Sequence, residues 1–302
     1  MKLFVFEYAS AGGADSAPFL REGMAMLSSL LADLKEINSI EVTTMLGHDI
    51  KGEDGLFPAD NLLKSSGDLF DEVAIEMERA DALFIIAPET DGILQRLTKK
   101  GEETGKLIVG SSSSGIEILG DKLKTWEILN QSIAMPETKP YAGNTESSLS
   151  VIKLRFGAGS EDVFLSDGTD LPDLTGGDFI FQPFINGDHL SAGFVAYESS
   201  VRLLGVCRQN MSINSKIVFE SVSGPIDFHS PEELIKIANS IHEKVPGLKG
   251  YFGIDFIDHA EGITVIEVNP RLTTSYPIYS ANIKDNLAEL LLESASVAAG
   301  EV

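Results

Sequence analysis

Gly250-Tyr-Phe-Gly-Ile-Asp255-Phe-Ile257 and, after a short turn, Thr264-Val-Ile-Glu267-Val-Asn269-Pro270-Arg271 read as two buried strands that carry four functional side chains. Buried strands are apolar because an unpaired charge taken out of water is costly, so Asp255, Glu267 and Asn269 need partners. Two carboxylates and an amide oxygen suit magnesium, with manganese as a substitute: such an ion takes hard oxygen ligands and completes its octahedron with water and phosphate oxygens. The strand pair therefore points to a nucleoside triphosphate. Glu267 and Asn269 are two apart and share one face of a strand. Asp258-His-Ala-Glu-Gly262 reads as a hairpin turn that brings Asp255 alongside them. Pro270 ends the strand and leaves Arg271 at its mouth. The plain alternative is an edge hairpin with solvated carboxylates. If a cation is what holds the carboxylates together, they repel without it. Glu267→Gln is then expected to leave thermal stability without nucleotide unchanged or higher.

The 302 residues, 43% hydrophobic and 23% charged, suffice for a globular protein of two or three domains or lobes. The formal charge of −23 opposes contact with phosphate backbones or anionic lipid, so neither nucleic acid nor membrane is expected as a partner. A single cysteine, Cys207, rules out an intrachain disulfide and a cysteine-rich zinc site and agrees with a reducing compartment. Within the strand-like Arg202-Leu-Leu-Gly-Val-Cys207 it reads as a packing residue. His48, His189, His229, His242 and His259 lack the spacing of a zinc motif. The chain opens on a strand, and it has no apolar stretch long enough to cross a bilayer, so a cytoplasmic location is expected.

In the first third, Leu3-Phe-Val-Phe6, Ile40 to Met45, Ala82 to Ala87 and Lys106 to Val109 read as buried strands. They alternate with helical patterns over Ala17–Ile37 and Asp68–Ala80. Such alternation predicts an α/β unit with a parallel sheet. Glu7-Tyr-Ala-Ser-Ala-Gly12-Gly13 follows the first strand, at the carboxyl end where open sheets bind ligands, and is either a substrate loop or a plain turn. Neither G-x-G-x-x-G nor a Walker lysine is present, which removes the basis for a dinucleotide-dependent oxidoreductase.

The run Ser111-Ser-Ser-Ser-Gly115 reads as a boundary. Asp121 can cap a helix over Lys122–Asn130, which puts Lys122 near an N-terminus that the helix dipole makes unfavourable for it. Val151-Ile-Lys153-Leu-Arg-Phe-Gly157-Ala-Gly159-Ser160 is a strand with an internal lysine, then a glycine-rich turn before a second strand from Asp162. It reads either as a flap cradling phosphate or as a hairpin with a snorkelling lysine. In Asp178-Phe-Ile-Phe-Gln182-Pro-Phe184-Ile185-Asn-Gly-Asp188-His189, a polar stop after an apolar run can hold an adenine ring between aliphatic groups. Pro231 opens a helix to Lys244, and Ile283–Ala299 reads as a closing amphipathic helix.

In this order, Asp121-Lys122, Lys153 with Gly157-x-Gly159-Ser160, the Gln182-to-Ile185 hinge and Asp255…Glu267-x-Asn269-Pro-Arg271 resemble the ATP-grasp superfamily over about 150 residues. The resemblance implies an α/β ATP-grasp fold: a Rossmann-like pre-ATP-grasp domain over 1–112, a small lobe with the phosphate flap over 113–181 and a large lobe with the metal site over 182–302. It implies that Lys122 and Lys153 contact ATP phosphates and that the 157–160 loop closes over them. Gln182, Phe184 and Ile185 would receive adenine, and Asp255, Glu267 and Asn269 would bind one or two magnesium ions. The acidic ribose ligand of the superfamily is replaced by His189, with Asp188 beside it. The implied chemistry is ligation: a carboxylate takes the γ-phosphate, and an amine displaces phosphate from the acylphosphate. Arg271 would steady the acylphosphate oxygens and Arg208 would assist, unless Arg208 is a solvated strand-end residue. Phe4 to Gly13 and Asn269 to Tyr276 are similar to the archaeal tyramine–glutamate ligases of methanofuran biosynthesis. That would make glutamate and tyramine the small-molecule partners, with Thr273, Thr274, Ser275 and Tyr276 as contact candidates. Another carboxylate–amine pair, or a regulator that binds nucleotide without turnover, are the other readings. Homo-oligomerisation is left open.

Overall fold

The computed structural model describes residues 1–13, 17–50, 55–143, 149–159, 162–168, 174 and 178–299. The first sheet is parallel, in the order β3-β2-β1-β4-β5, from Lys2–Glu7 (β1), Glu41–Leu46 (β2), Asn61–Lys64 (β3), Ala82–Ile86 (β4) and Leu107–Ile108 (β5). Helices Leu20–Lys35 (α1), Leu69–Arg79 (α2) and Ile93–Glu103 (α3) connect its strands. Asp68 starts α2 as expected, its carboxylate accepting the Phe70 and Asp71 amides. The chain leaves β1 on one side and returns through β4 on the other, so the topological switch point lies between them. Ligands of open sheets bind at that point, outside the strand ends.

Ser113–Leu119 (α4) and Lys122–Leu129 (α5) follow. The serine run is not slack: Ser112 caps α4 at the Gly115 amide, its own amide donates to the Gly247 carbonyl, and the Ser111 hydroxyl donates to that of Lys249. A small antiparallel sheet, β6-β9-β7-β8, is built from Lys139–Pro140 (β6), Ser150–Leu154 (β7), Phe164–Ser166 (β8) and Phe179–Pro183 (β9). The larger antiparallel sheet, β12-β11-β10-β13-β14, comprises Asp188–Ala196 (β10), Val201–Ile213 (β11), Ile217–Ile226 (β12), Gly250–His259 (β13) and Gly262–Asn269 (β14). Pro231–Lys244 (α6) precedes its last two strands, and Tyr276–Asn282 (α7) and Leu287–Ala299 (α8) end the described chain.

Two of the three cores hold the larger sheet in place. Leu119 and Leu129 of α4 and α5, with Leu234 and Ile241 of α6, bury Phe194, Phe252 and Ile254 on one face of the larger sheet. On its other face Val195, Cys207 and Tyr251 join one core with Leu27, Leu30, Leu272, Tyr276 and Leu287, so this sheet and the parallel sheet share apolar packing. Cys207 is fully buried there. No helix among the described residues is long and apolar enough to cross a membrane.

Candidate active site

The β13–β14 hairpin pairs regularly from His259↔Gly262 to Phe256↔Val265, then shifts by one residue: Asp255 faces Glu267 and Gly253 faces Asn269. Ile266 is the extra residue of a β-bulge. Without it Asp255 would face Ile266, and Glu267 would turn to the other side of the sheet, because a one-residue slip exchanges faces. The bulge thus places Asp255 and Glu267 as a cross-strand pair, with Asn269 two positions on.

Around this pair the charges are arranged in layers. Asp255 accepts from Gln209 Nε2 at 3.0 Å and from Asn269 Nδ2 at 3.1 Å. Burial and then the nearby Glu267 charge push its carboxyl up to about 6, against hydrogen bonds from Ser191 and Asn269. Glu267 behaves oppositely. Burial raises its pKa, but Lys122 and Lys153 more than offset this and hold it below the ordinary value. Lys122 Nζ lies 2.9 Å from Glu267 and also donates to the Gly157 carbonyl at 2.6 Å. Lys153 is 6% exposed, and burial pushes its ammonium down to about 8 even though Glu267 attracts it. Glu267 is therefore the counterion of two buried lysines, which overturns the expectation that Glu267→Gln spares stability: the lysines, not Asp255, dominate its surroundings.

Lys122 can occupy the first turn of α5 for a local reason. Asp121 caps that turn, accepting from the Leu123 and Lys124 amides, and is gripped by Arg155 Nε and Nη2 at 2.8 and 2.6 Å. The capping carboxylate serves the helix dipole while the Lys122 side chain reaches away to Glu267.

The donor set fits a hard cation. No group of three or more His, Cys, Asp and Glu that could hold a metal occurs among the described residues, so two carboxylates and the Asn269 amide need outside oxygens to complete a shell. With Asn269 Nδ2 committed to Asp255, its Oδ1 is the atom left for a cation. Phosphate oxygens held by the two lysines would supply the rest.

Beside this centre a cleft runs between the small and the larger antiparallel sheets. Lys122, Lys153, Gly157, Gln182, Phe184, Ile185 and His189 line it, with Met211 and Ile257 among its apolar walls. Gln182 gives its side chain to the structure, donating to Thr138 Oγ1 at 2.8 Å, so a purine edge would meet backbone groups. His189 faces the cleft, and burial lowers its pKa. Asp188, one residue earlier on the strand, is instead an exposed partner of Arg208 at 2.9 Å and is not among the cleft walls. Arg208 is accordingly a solvated arginine, in the middle of β11 rather than at a strand end, and not a group at the reaction centre. Gly159 lies in the adjoining cavity with φ +69°, where a Cβ would approach Phe19 Cε1 to 2.4 Å; only glycine brings the flap this close to the parallel-sheet unit. Ser160 lies outside the described residues.

Arg271 is held from the parallel-sheet unit. Glu89, in the loop after β4, takes it in a two-point pair, Nε to Oε1 at 2.9 Å and Nη2 to Oε2 at 2.8 Å, with the side chains 14% and 4% exposed. Thr273 and Thr274 line the same cavity, whereas Tyr276 donates to Asp33 at 2.6 Å and is buried in packing. Glu89, Gln209 and Ser191 were not legible as site residues. For Glu89 a signal existed, since a Pro-Glu-Thr turn after a strand at the switch point is where open sheets bind ligands. Glu89→Gln would leave a buried guanidinium short of its counterion. We expect a stability loss on the order of 3 kcal/mol by urea denaturation. An unchanged midpoint would contradict the pair's structural weight.

Similarity to known proteins agrees with this geometry. The ATP-grasp domain family matches residues 119–275, and the pre ATP-grasp 3 domain family matches 40–116. Tyramine–L-glutamate ligase of Methanocaldococcus jannaschii is 28% identical over 97% of this chain and 89% of its own, and that of Methanocaldococcus fervens is 29% identical over 97% and 94%. A crystal structure of a protein assigned to the ATP-grasp superfamily, from Archaeoglobus fulgidus, superposes with a TM-score of 0.77 at 31% identity, covering 97% of this chain and 88% of that one. Two buried lysines beside a carboxylate pair, in a cleft between two antiparallel sheets, and a family match over more than half the chain's length place this protein in the ATP-grasp family.

Proposed function

We propose that the protein joins a carboxylate to an amine at the expense of ATP, with glutamate as the acyl substrate and tyramine as the amine. The observation that carries this reading is the Lys122–Glu267 pair at 2.9 Å, with Lys153 and Asp255 beside it, at the meeting of the nucleotide cleft and a second cavity that contains Arg271. Phosphoryl transfer demands charge neutralisation and in-line positioning more than it demands a protein nucleophile. Lys122 and Lys153 would contact the phosphates, the 157–160 flap would close over them, and residues 182–185 with His189 would seat the nucleoside. Magnesium, held by Asp255, Glu267 and Asn269, would supply the remaining neutralisation. A substrate carboxylate oxygen then attacks the γ-phosphorus and releases ADP; the deprotonated amine nitrogen attacks the acyl carbon, phosphate leaves with its bonding electrons, and the nitrogen gives up a proton to solvent. Arg271, paired with Glu89, would bind the oxygens that gain charge in both steps. In this reading residues 1–112 serve the substrates, 113–181 the flap and 182–302 the metal.

Support for the substrates comes from the names of the relatives at 28% and 29% identity. The test is ADP release from purified protein across a matrix of carboxylates and amines. We expect magnesium-dependent release that needs glutamate and tyramine together, with GTP a poor replacement for ATP. A faster pair would keep the ligase and replace its substrates; release independent of any amine would reject the ligase.

A further inference from the structure

The second cavity encloses about 580 Å³, within the roughly 300–1,000 Å³ usual for small-molecule sites. Asp255, Glu267, Asn269 and Arg271 form one side; the parallel-sheet unit forms the other, and nothing in nucleotide or metal binding uses that wall. It has two chemically distinct parts. One part is aromatic: Tyr8 and Phe70 have ring centroids 6.5 Å apart, the Arg96 guanidinium lies 5.4 Å over the Phe70 ring, and Phe70 is 41% exposed, which puts it at the mouth. Phe19 continues this surface towards the flap.

The other part carries two carboxylates, Glu7 and Glu22. Glu22, in the first turn of α1, lines the cavity, and its Oε2 is buried with no hydrogen-bond partner among the described residues. Such an oxygen costs free energy until a donor reaches it. The Glu7 carboxylate on the same wall provides none. Glu7 is itself a carboxylate, already accepting the Ala9 and Ser10 amides at 3.1 and 2.6 Å, and it abuts Gly23, where a Cβ would stand 2.6 Å from its carboxyl carbon. Glu7 is also close enough to Arg271 to feel its charge, so this anionic corner adjoins the place where a nucleophile must meet the acyl carbon.

We propose that Glu22 anchors the ammonium group of the amine substrate beside Arg271, while Tyr8, Phe19 and Phe70 hold an aromatic body that extends towards the mouth; the ligand class is a primary arylalkylamine. The assignment rests on the ligase reading of this cavity. A carboxylate without a donor suits an ammonium, which brings donors and no acceptor, and the same carboxylate takes the proton that the ammonium gives up before its nitrogen attacks. The acyl substrate, by contrast, must present a carboxylate to Arg271 and gains nothing from a second carboxylate there. Aromatic faces add attraction for a ring and for the cationic end of the ligand.

The test is calorimetric titration of tyramine into the full chain with magnesium and ADP, which reads binding without turnover. Wild type should bind tyramine and ignore 3-(4-hydroxyphenyl)propionate, which has a carboxylate in place of the ammonium. Glu22→Gln should weaken tyramine at least about tenfold, the worth of one charge-assisted hydrogen bond, with Glu22→Asp in between and ADP affinity unchanged. Phe70→Ala, at an exposed position that folding tolerates, should weaken tyramine but not ethylamine. Tyramine affinity that is equal in wild type and Glu22→Gln, or absent from wild type, overturns the assignment. So does loss of glutamate affinity in Glu22→Gln with tyramine retained. Failure of the ligase reading is a separate result, namely no ADP release with any carboxylate–amine pair.

Discussion

Glu267→Gln should lower ligase turnover by at least about a hundredfold, the scale of one strong transition-state electrostatic contact, and should also lower the melting temperature. Both effects come from one carboxylate with two duties. Towards a cation, Glu267 supplies a charge opposite Asp255. Towards the protein, it is the counterion of Lys122 at 2.9 Å and of the nearby Lys153, both of them buried. The glutamine is nearly isosteric but leaves two ammonium groups facing each other, and breaking a buried pair in this way costs on the order of 3 kcal/mol. The sign of the pH dependence follows from the lowered carboxyl. A depressed acid contributes stability above its unfolded value of 4.5, and this is lost as pH falls through its lower folded value. The gap between wild type and variant should therefore be full at neutral pH and close in strong acid. Urea denaturation between pH 3 and about 7 measures it; equal stability at neutral pH would restore the simpler picture of two carboxylates that only repel.

Lys153→Met should do the reverse to stability while also abolishing turnover. The ammonium is pushed down to about 8 from 10.5, so the folded state favours the neutral form. A lysine depressed in this way contributes stability only above its unfolded value and loses it as pH falls through about 8, so at pH 7 its charge weighs against folding. Methionine keeps the aliphatic stem and removes the charge. Since Glu267 returns part of the cost, a gain of about 1–3 kcal/mol at pH 7 is expected, shrinking to nothing above about pH 10.5. Magnesium-ATP stabilisation should be largely lost. A variant that is less stable and fully active would mean that the stem alone matters and that the phosphate contact lies elsewhere.

Much of the fold was legible because local chemistry and tertiary role coincide. Leu3–Phe6 and the run from Ala82 are apolar throughout because both faces of a parallel strand are covered. Asp68 and Pro231 start helices by mechanisms written in their side chains. What escaped reading lacks such a signal. The edge strand β3, Asn61-Leu-Leu-Lys64, is largely exposed, and α3 starts after Gly92 in a left-handed conformation with no capping side chain. The closing helix proved to be α8 alone, shorter than Ile283–Ala299, with α7 formed separately by the turn after Arg271. At the site, the residue types and order could be read from the sequence, but the bulge at Ile266 could not: an uninterrupted hairpin would have separated Asp255 from Glu267. The Arg271–Glu89 pair joins residues 182 positions apart, beyond the reach of any spacing argument.

The central claim, activation of a carboxylate by phosphoryl transfer within this cleft, is tested most directly by oxygen tracing. Glutamate labelled with oxygen-18 in its side-chain carboxylate, incubated with tyramine, magnesium-ATP and the protein, should place one labelled oxygen in the released inorganic phosphate, in equal amount with ADP and amide. Label found in AMP, or phosphate released without label, would contradict the acylphosphate path and the roles given to Lys122, Lys153 and Arg271.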